Sequence, residues 1–192
     1  MKFWLASALG VLVLAGCASK QTLVPQVTQG VAADGAKTVT VAPEKVVCGT
    51  TAACPVLAAS WTGAKAGQAV LTVGLPGQQV QVTGADFHFS GVDTVRLRLP
   101  SRGEAPALGY PAMAFDVPLR VVSQIAYTQR SWVRVHLAGG RTVDETINSG
   151  DQRGKAVESL SYFLAAVEAS GGTGANAQRK GGLFEALGGD SK

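Results

Sequence analysis

The sequence predicts an α+β protein, mainly antiparallel β, in which a bent sheet or partly open barrel is closed by one C-terminal amphipathic helix. Three observations lead there. Short runs of alternating apolar and polar residues recur between residues 38 and 147, separated by Gly- and Pro-containing turns. The period switches once, at residues 155–169, to a helical one. Glycine is abundant at 24 residues and aromatics are sparse at 6%, which favours turns and strands over a large aromatic core.

The chain opens with Lys2 and an uncharged, mostly apolar run to Ala15. That run is shorter than the roughly 20 residues a membrane-spanning helix needs, and it has the flanks of a secretory signal. Small residues Ala15 and Gly16 then sit beside Cys17, where a peptidase needs uncrowded backbone. Leu14-Ala15-Gly16-Cys17 resembles the lipobox of bacterial lipoprotein precursors. That resemblance covers about the first twenty residues. It implies cleavage before Cys17, a thioether-linked lipid on its sulfur and acylation of the new amino group. Several acyl chains, each contributing about 0.8 kcal/mol per buried CH₂, hold a protein firmly at a bilayer. Ala18-Ser19 follow the cysteine in place of Asp. By the same resemblance this directs the protein to the outer membrane, facing the periplasm, with the inner membrane as the alternative.

The domain organisation follows: a signal peptide at 1–16, a lipidated N-terminus and flexible tether at 17–37, a β-rich domain with its helix at 38–170, and a flexible tail at 171–192. The tether is Gln-, Thr-, Ala- and Gly-rich without a stable period, although its valines allow a short edge strand. Strands are expected at 38–41 and, after Pro43, toward Val46 and Val47. Residues 55–61 are apolar enough to be buried on both faces, and 69–73 form the next strand. Pro76-Gly77 is a turn, since Pro fixes φ and Gly accepts positive φ.

Across 79–90 the apolar positions move from even (Val80, Val82) to odd (Phe87, Phe89), which predicts a bulge or bend at Gly84. Residues 94–99 alternate most cleanly, with Val95, Leu97 and Leu99 inward and Arg96 and Arg98 outward. The stretch 100–111 is a loop. Residues 115–121 alternate again, with Pro118 at an edge or break, and 122–127 continue extended. Residues 132–137 and 141–147 flank Ala138-Gly139-Gly140 and read as a β-hairpin. Asp151 is the best cap for the helix that follows. Val157, Leu160, Phe163, Leu164 and Val167 make its apolar stripe, and Gly171-Gly172 end it. The tail holds a last apolar cluster at 183–187, either a docking peptide or a frayed turn. Antiparallel strands followed by one amphipathic helix is an order similar to that of pleckstrin-homology-like domains, an analogy of topology that implies no function.

Chemistry is sparse. With Cys17 assigned to lipid, Cys48 and Cys54 remain, an even pair in an oxidising compartment, and we expect a structural disulfide. Their spacing is not that of a redox-active Cys-x-x-Cys, and the chain has too few further ligands nearby for a metal. No cofactor motif is present. His88 and His136 fall on the polar faces of strands, and a Ser90-His136-Asp144 set is one that almost any such chain permits. Asp144 and Glu145 point to opposite faces. The net charge of +4 is too mild to imply nucleic acid, and export argues against it.

A surface is the better candidate. Arg96 and Arg98 face outward on one strand, and Arg130, Trp132, Arg134 and His136 share a parity on another. Brought together they form a basic, aromatic face suited to anionic lipid, glycan or an acidic envelope protein. The expected function is a non-catalytic binding or scaffolding module held to the membrane by lipid. The alternatives are a carrier or sensor of a small apolar ligand, and a hydrolase with an unrecognised site.

Overall fold

The structure, a computed structural model, describes residues 25–49, 53–98 and 107–175. The lipobox with Cys17, Leu99, most of the 100–111 loop and the 183–187 cluster lie outside the described residues. In chain order the elements are β1 (Val27–Val31), β2 (Lys37–Lys45), β3 (Val56–Thr62), β4 (Gln68–Gly74), β5 (Val82–Phe89), β6 (Val92–Arg98), β7 (Ala112–Pro118), α1 (Leu119–Tyr127), β8 (Ser131–Leu137), β9 (Thr142–Asn148) and α2 (Lys155–Ala169). The strands form two antiparallel sheets, ordered β1-β2-β3-β4-β7 and β6-β5-β8-β9. The expected α+β, mainly antiparallel class is the one observed, and the sheets are not closed into a barrel. No helix among the described residues is long and apolar enough to cross a membrane.

The core forms where alternation and helical stripe meet. Val39, Leu57, Trp61, Leu71 and Val117 point inward from the five-stranded sheet. The stripe of α2, Val157, Leu160, Phe163, Leu164 and Val167, is buried against β2, β3 and α1. Ala85, Phe87, Val133 and Val135 supply the inner face of the four-stranded sheet. Burying each Val, Leu or Phe among them contributes roughly 1.5–3 kcal/mol. These residues belong to one hydrophobic core cluster. On β3, Val56 and Ala58 are buried as well as Leu57 and Ala59, as its apolar run predicts.

The expected bulge at Gly84 is present as a register shift between Val82 and Gly84 where β5 pairs with β8. The β8–β9 hairpin is also present, with Gly139 and Gly140 at φ of 83° and 80°. The α2 bounds coincide with the expected 155–169. Its C-terminus is a Schellman motif, in which Gly172 N–H donates to Val167 C=O and Gly171 N–H to Glu168 C=O, with Gly171 at φ 97°.

Four details differ from expectation. Residues 122–127 are not extended: Leu119–Tyr127 is helix α1, and the strand before it ends at Pro118. Pro118 sits at the N-cap, where its φ of −58° and missing N–H cost nothing. The β-branched Val121, Val122 and Ile125 favour a strand locally, but Leu119, Val122, Ile125 and Ala126 share one helical face, fully buried beside α2, β4 and β7. Within the tether, Val27–Val31 form edge strand β1 on β2, the alternative its valines allowed. The first residues of the tail stay on the fold, with Thr173 N–H donating to Ala66 C=O and Ala175 buried.

Finally, the N-cap of α2 is Gly154 and not Asp151. A Cβ on Gly154 would lie 2.9 Å from the backbone of Val46 and Val47, so this helix start fits against the β2–β3 connection only without a side chain. Gly154→Ala is expected to destabilise the fold by about 1–3 kcal/mol, read as a lower urea midpoint at unchanged slope. Cys48 and Cys54 are disulfide-bonded, with Cα atoms 5.7 Å apart, as expected.

Candidate functional site

The outer face of the four-stranded sheet collects the polar chemistry. Period-two alternation sends Asp86 and His88 outward on β5, Thr94, Arg96 and Arg98 on β6, Trp132, Arg134 and His136 on β8, and Asp144 and Thr146 on β9. The register then sets them in rows. One row runs Arg96, Asp86, Arg134, Asp144, alternating in charge from strand to strand. The next places His88 opposite Trp132 and Trp132 opposite Thr146.

The centre of the face is Asp86. Arg98 reaches it with both terminal nitrogens, and Arg98 Nη2 lies 3.0 Å from Oδ2. His136 Nε2 lies 2.9 Å from the same oxygen. Gly84 makes this diagonal reach possible. It stands beside Arg98 in the register, and a Cβ there would meet Leu97 O at 2.7 Å and Arg98 Cδ at 3.0 Å. The Asp86 side chain is 11% exposed, and burial pushes its pKa up. The hydrogen bonds from Arg98 and His136, with their charges, outweigh burial and hold the carboxyl at about 2. The same pairing raises the Arg98 pKa.

Beside it, His88 and Trp132 stack with ring centroids 3.7 Å apart and planes parallel within 1°. Thr94 Oγ1 is hydrogen-bonded to His88 Nδ1 at 3.1 Å and orients the imidazole. Arg134 donates through Nε to Asp144 Oδ1 at 2.8 Å and through Nη2 to Oδ2 at 2.6 Å. Its guanidinium carbon is 5.4 Å from the Trp132 ring centroid. The Asp144 pKa is lowered by this bidentate pairing, and that of Arg134 is raised.

The structure therefore brings Arg96, Arg98, Trp132, Arg134 and His136 to one face. Arg130 precedes β8 and is exposed, and no described interaction draws its side chain into the cluster. The face read from the arginines alone also carries two carboxylates: Asp86 pairs with Arg98 and Asp144 with Arg134, which makes it a hydrogen-bonded array of both charges in which Arg96 adds a further cation. Asp86, His88 and Asp144 are the members that sequence reasoning left out of the face. Strand parity was the available signal, since all three share the outward set. What parity cannot supply is which strands are neighbours.

Ser90, His136 and Asp144 are not assembled. His136 pairs with Asp86, Asp144 pairs with Arg134, and Ser90 follows the end of β5, where its N–H donates to Arg130 C=O at the opposite end of β8 from His136. Among the described residues no group of three or more His, Cys, Asp or Glu is placed to hold a metal ion. No protein family, curated protein or solved structure matches the chain.

Proposed function

We propose that this chain is a lipid-anchored lipoprotein of the cell envelope, held at the outer membrane through Cys17. Its β-rich body is a non-catalytic module that binds or scaffolds another envelope component. The observation behind the binding reading is the outer face of the four-stranded sheet. Its side chains are cross-linked by hydrogen bonds and stacking before any partner arrives, so little rotamer freedom remains to be lost on binding. Such pre-organisation of a Trp and two Arg matches the residue types that dominate interface energetics. The anchoring reading rests on Leu14-Ala15-Gly16-Cys17 after a signal-like run.

Capture of a crosslinked envelope component by the wild-type chain is expected to fall at least about tenfold in both Trp132→Ala and Arg134→Glu, the scale of a hot-spot residue. Equal capture by wild type and both variants would remove this face from the function. Cys17→Ser is expected to block acylation and release the chain from sedimenting envelopes, as a Western blot of fractions would show.

A further inference from the structure

We propose that the outer face of the five-stranded sheet is a docking groove for the apolar cluster of this chain's own tail, Leu183-Phe184-Glu185-Ala186-Leu187. The groove lies on the other sheet from the Trp132 array, so it stands apart from the binding role proposed above.

The alternation that buries Val39, Leu57 and Leu71 sends Thr40, Ala58, Ser60, Val70 and Thr72 to the opposite side. The register sets Thr40, Ser60 and Val70 in one row and Ala58 beside Thr72 in the next. All are short, so the floor is a trough of methyl groups and hydroxyls. Two hollows, of about 250 and about 460 Å³, lie over it and share Thr40, Ser60 and Val70, which makes them one continuous groove. An apolar cavity of about 150 Å³ holds a benzene ring, so this groove has room for the Phe184 ring and the leucines that flank it.

One end of the face is covered by the chain itself. Tyr110 lies against Gly74, where a Cβ would be 2.7 Å from the Tyr110 ring, and Leu108 lines the larger hollow. Among the described residues that cover stops at Ala107, and the smaller hollow continues to Lys65 and Gln68. Thr72 lines the groove and is 5% exposed, yet no hydrogen bond among the described residues engages its hydroxyl. A peptide backbone laid in the groove would supply the missing partner.

The path of the chain selects the occupant. After α2, Thr173 N–H donates to Ala66 C=O, and the Thr173 side chain lies beside Gly67. Ala66 and Gly67 sit between Lys65 and Gln68, the two residues at the open end of the groove. Residues 176–182 then precede the cluster and can span up to about 23 Å. The groove floor from Thr62 to Ala58 runs about 13 Å along β3, so the cluster reaches all of it. Charges also match. Lys65, and Asp116 beside Val70, are exposed and join no ion pair among the described residues. The tail brings Arg179-Lys180 just before the cluster and Glu185 within it.

The test is photocrosslinking of the full chain with p-benzoylphenylalanine in place of Phe184. Irradiation is expected to give a monomer-sized adduct whose peptide map places the link in β2, β3 or β4. Val70→Trp, which fills the groove from its floor, should cut that yield at least about tenfold. A second measurement leaves the sheet unaltered: methyl NMR of the full chain, wild type against Phe184→Asp. The Ala58, Val70 and Leu108 methyl signals should shift, and those of Val133 and Val135 in the other sheet should stay. Links to other parts of the fold, to a lipid or to another protein overturn the inference, as do dimer-sized adducts. A yield indifferent to Val70→Trp, or groove methyl signals unmoved by Phe184→Asp, overturns it equally.

Discussion

Phe163→Ala is expected to destabilise the folded chain by about 3–5 kcal/mol, the largest effect of any single truncation considered for this protein. Phe163 is fully buried on α2, and that helix packs on β2, β3 and α1 at once. Removing its ring leaves a cavity that three elements must collapse to fill. Each is held elsewhere: α2 by its Schellman end and the tight Gly154 start, and β2 by pairing on both edges. Partial relaxation is therefore the expected response. Chemical denaturation should show the loss as a reduced midpoint with the slope preserved. A loss below about 1 kcal/mol would mean that α2 does not cover the five-stranded sheet as described.

Asp86→Asn is expected to lower stability by about 2 kcal/mol at neutral pH and by almost nothing at pH 2. The wild-type carboxyl titrates at about 2 in the folded chain against an ordinary 3.8, because Arg98 and His136 hydrogen-bond its charged form. A carboxyl pKa depressed by folding contributes stability that is present above the unfolded value. That stability is lost as pH falls from about 4 toward 2. Asp144, also depressed but paired at an exposed position, adds little to this because solvent screens the pair. Wild-type and variant stabilities should therefore converge on acidification. Parallel curves between pH 5 and pH 2 would show that Asp86 is not the acid-sensitive group.

Much of the fold was legible because local periodicity and global burial agree. The alternation over the described residues 94–98, the 132–147 hairpin and the 155–169 stripe each present one apolar face, and each forms as read. Gly84 was legible from the parity change around it, although its second role, clearing the path from Arg98 to Asp86, was not. Leu119–Tyr127 was misread because Val121, Val122 and Ile125 carry strand preference, while the helical face shared by Leu119, Val122, Ile125 and Ala126 gains its energy only when α2 is packed beside it. Asp151 has the right chemistry for a cap, but the helix begins three residues later at Gly154, where the backbone of Val46 and Val47 leaves room only for glycine.

The face of the four-stranded sheet divides along the same line. Each strand's own alternation dictated which residues look outward, because successive side chains on a pleated backbone must oppose one another. Strand order and register came from elsewhere: β5 lies between β6 and β8 because distant segments bury their inner faces together. That neighbourhood turned a row of arginines into ion pairs with Asp86 and Asp144 and laid His88 flat on Trp132. Charge content was written in the chain, but its partnering depends on contacts between strands that lie tens of residues apart.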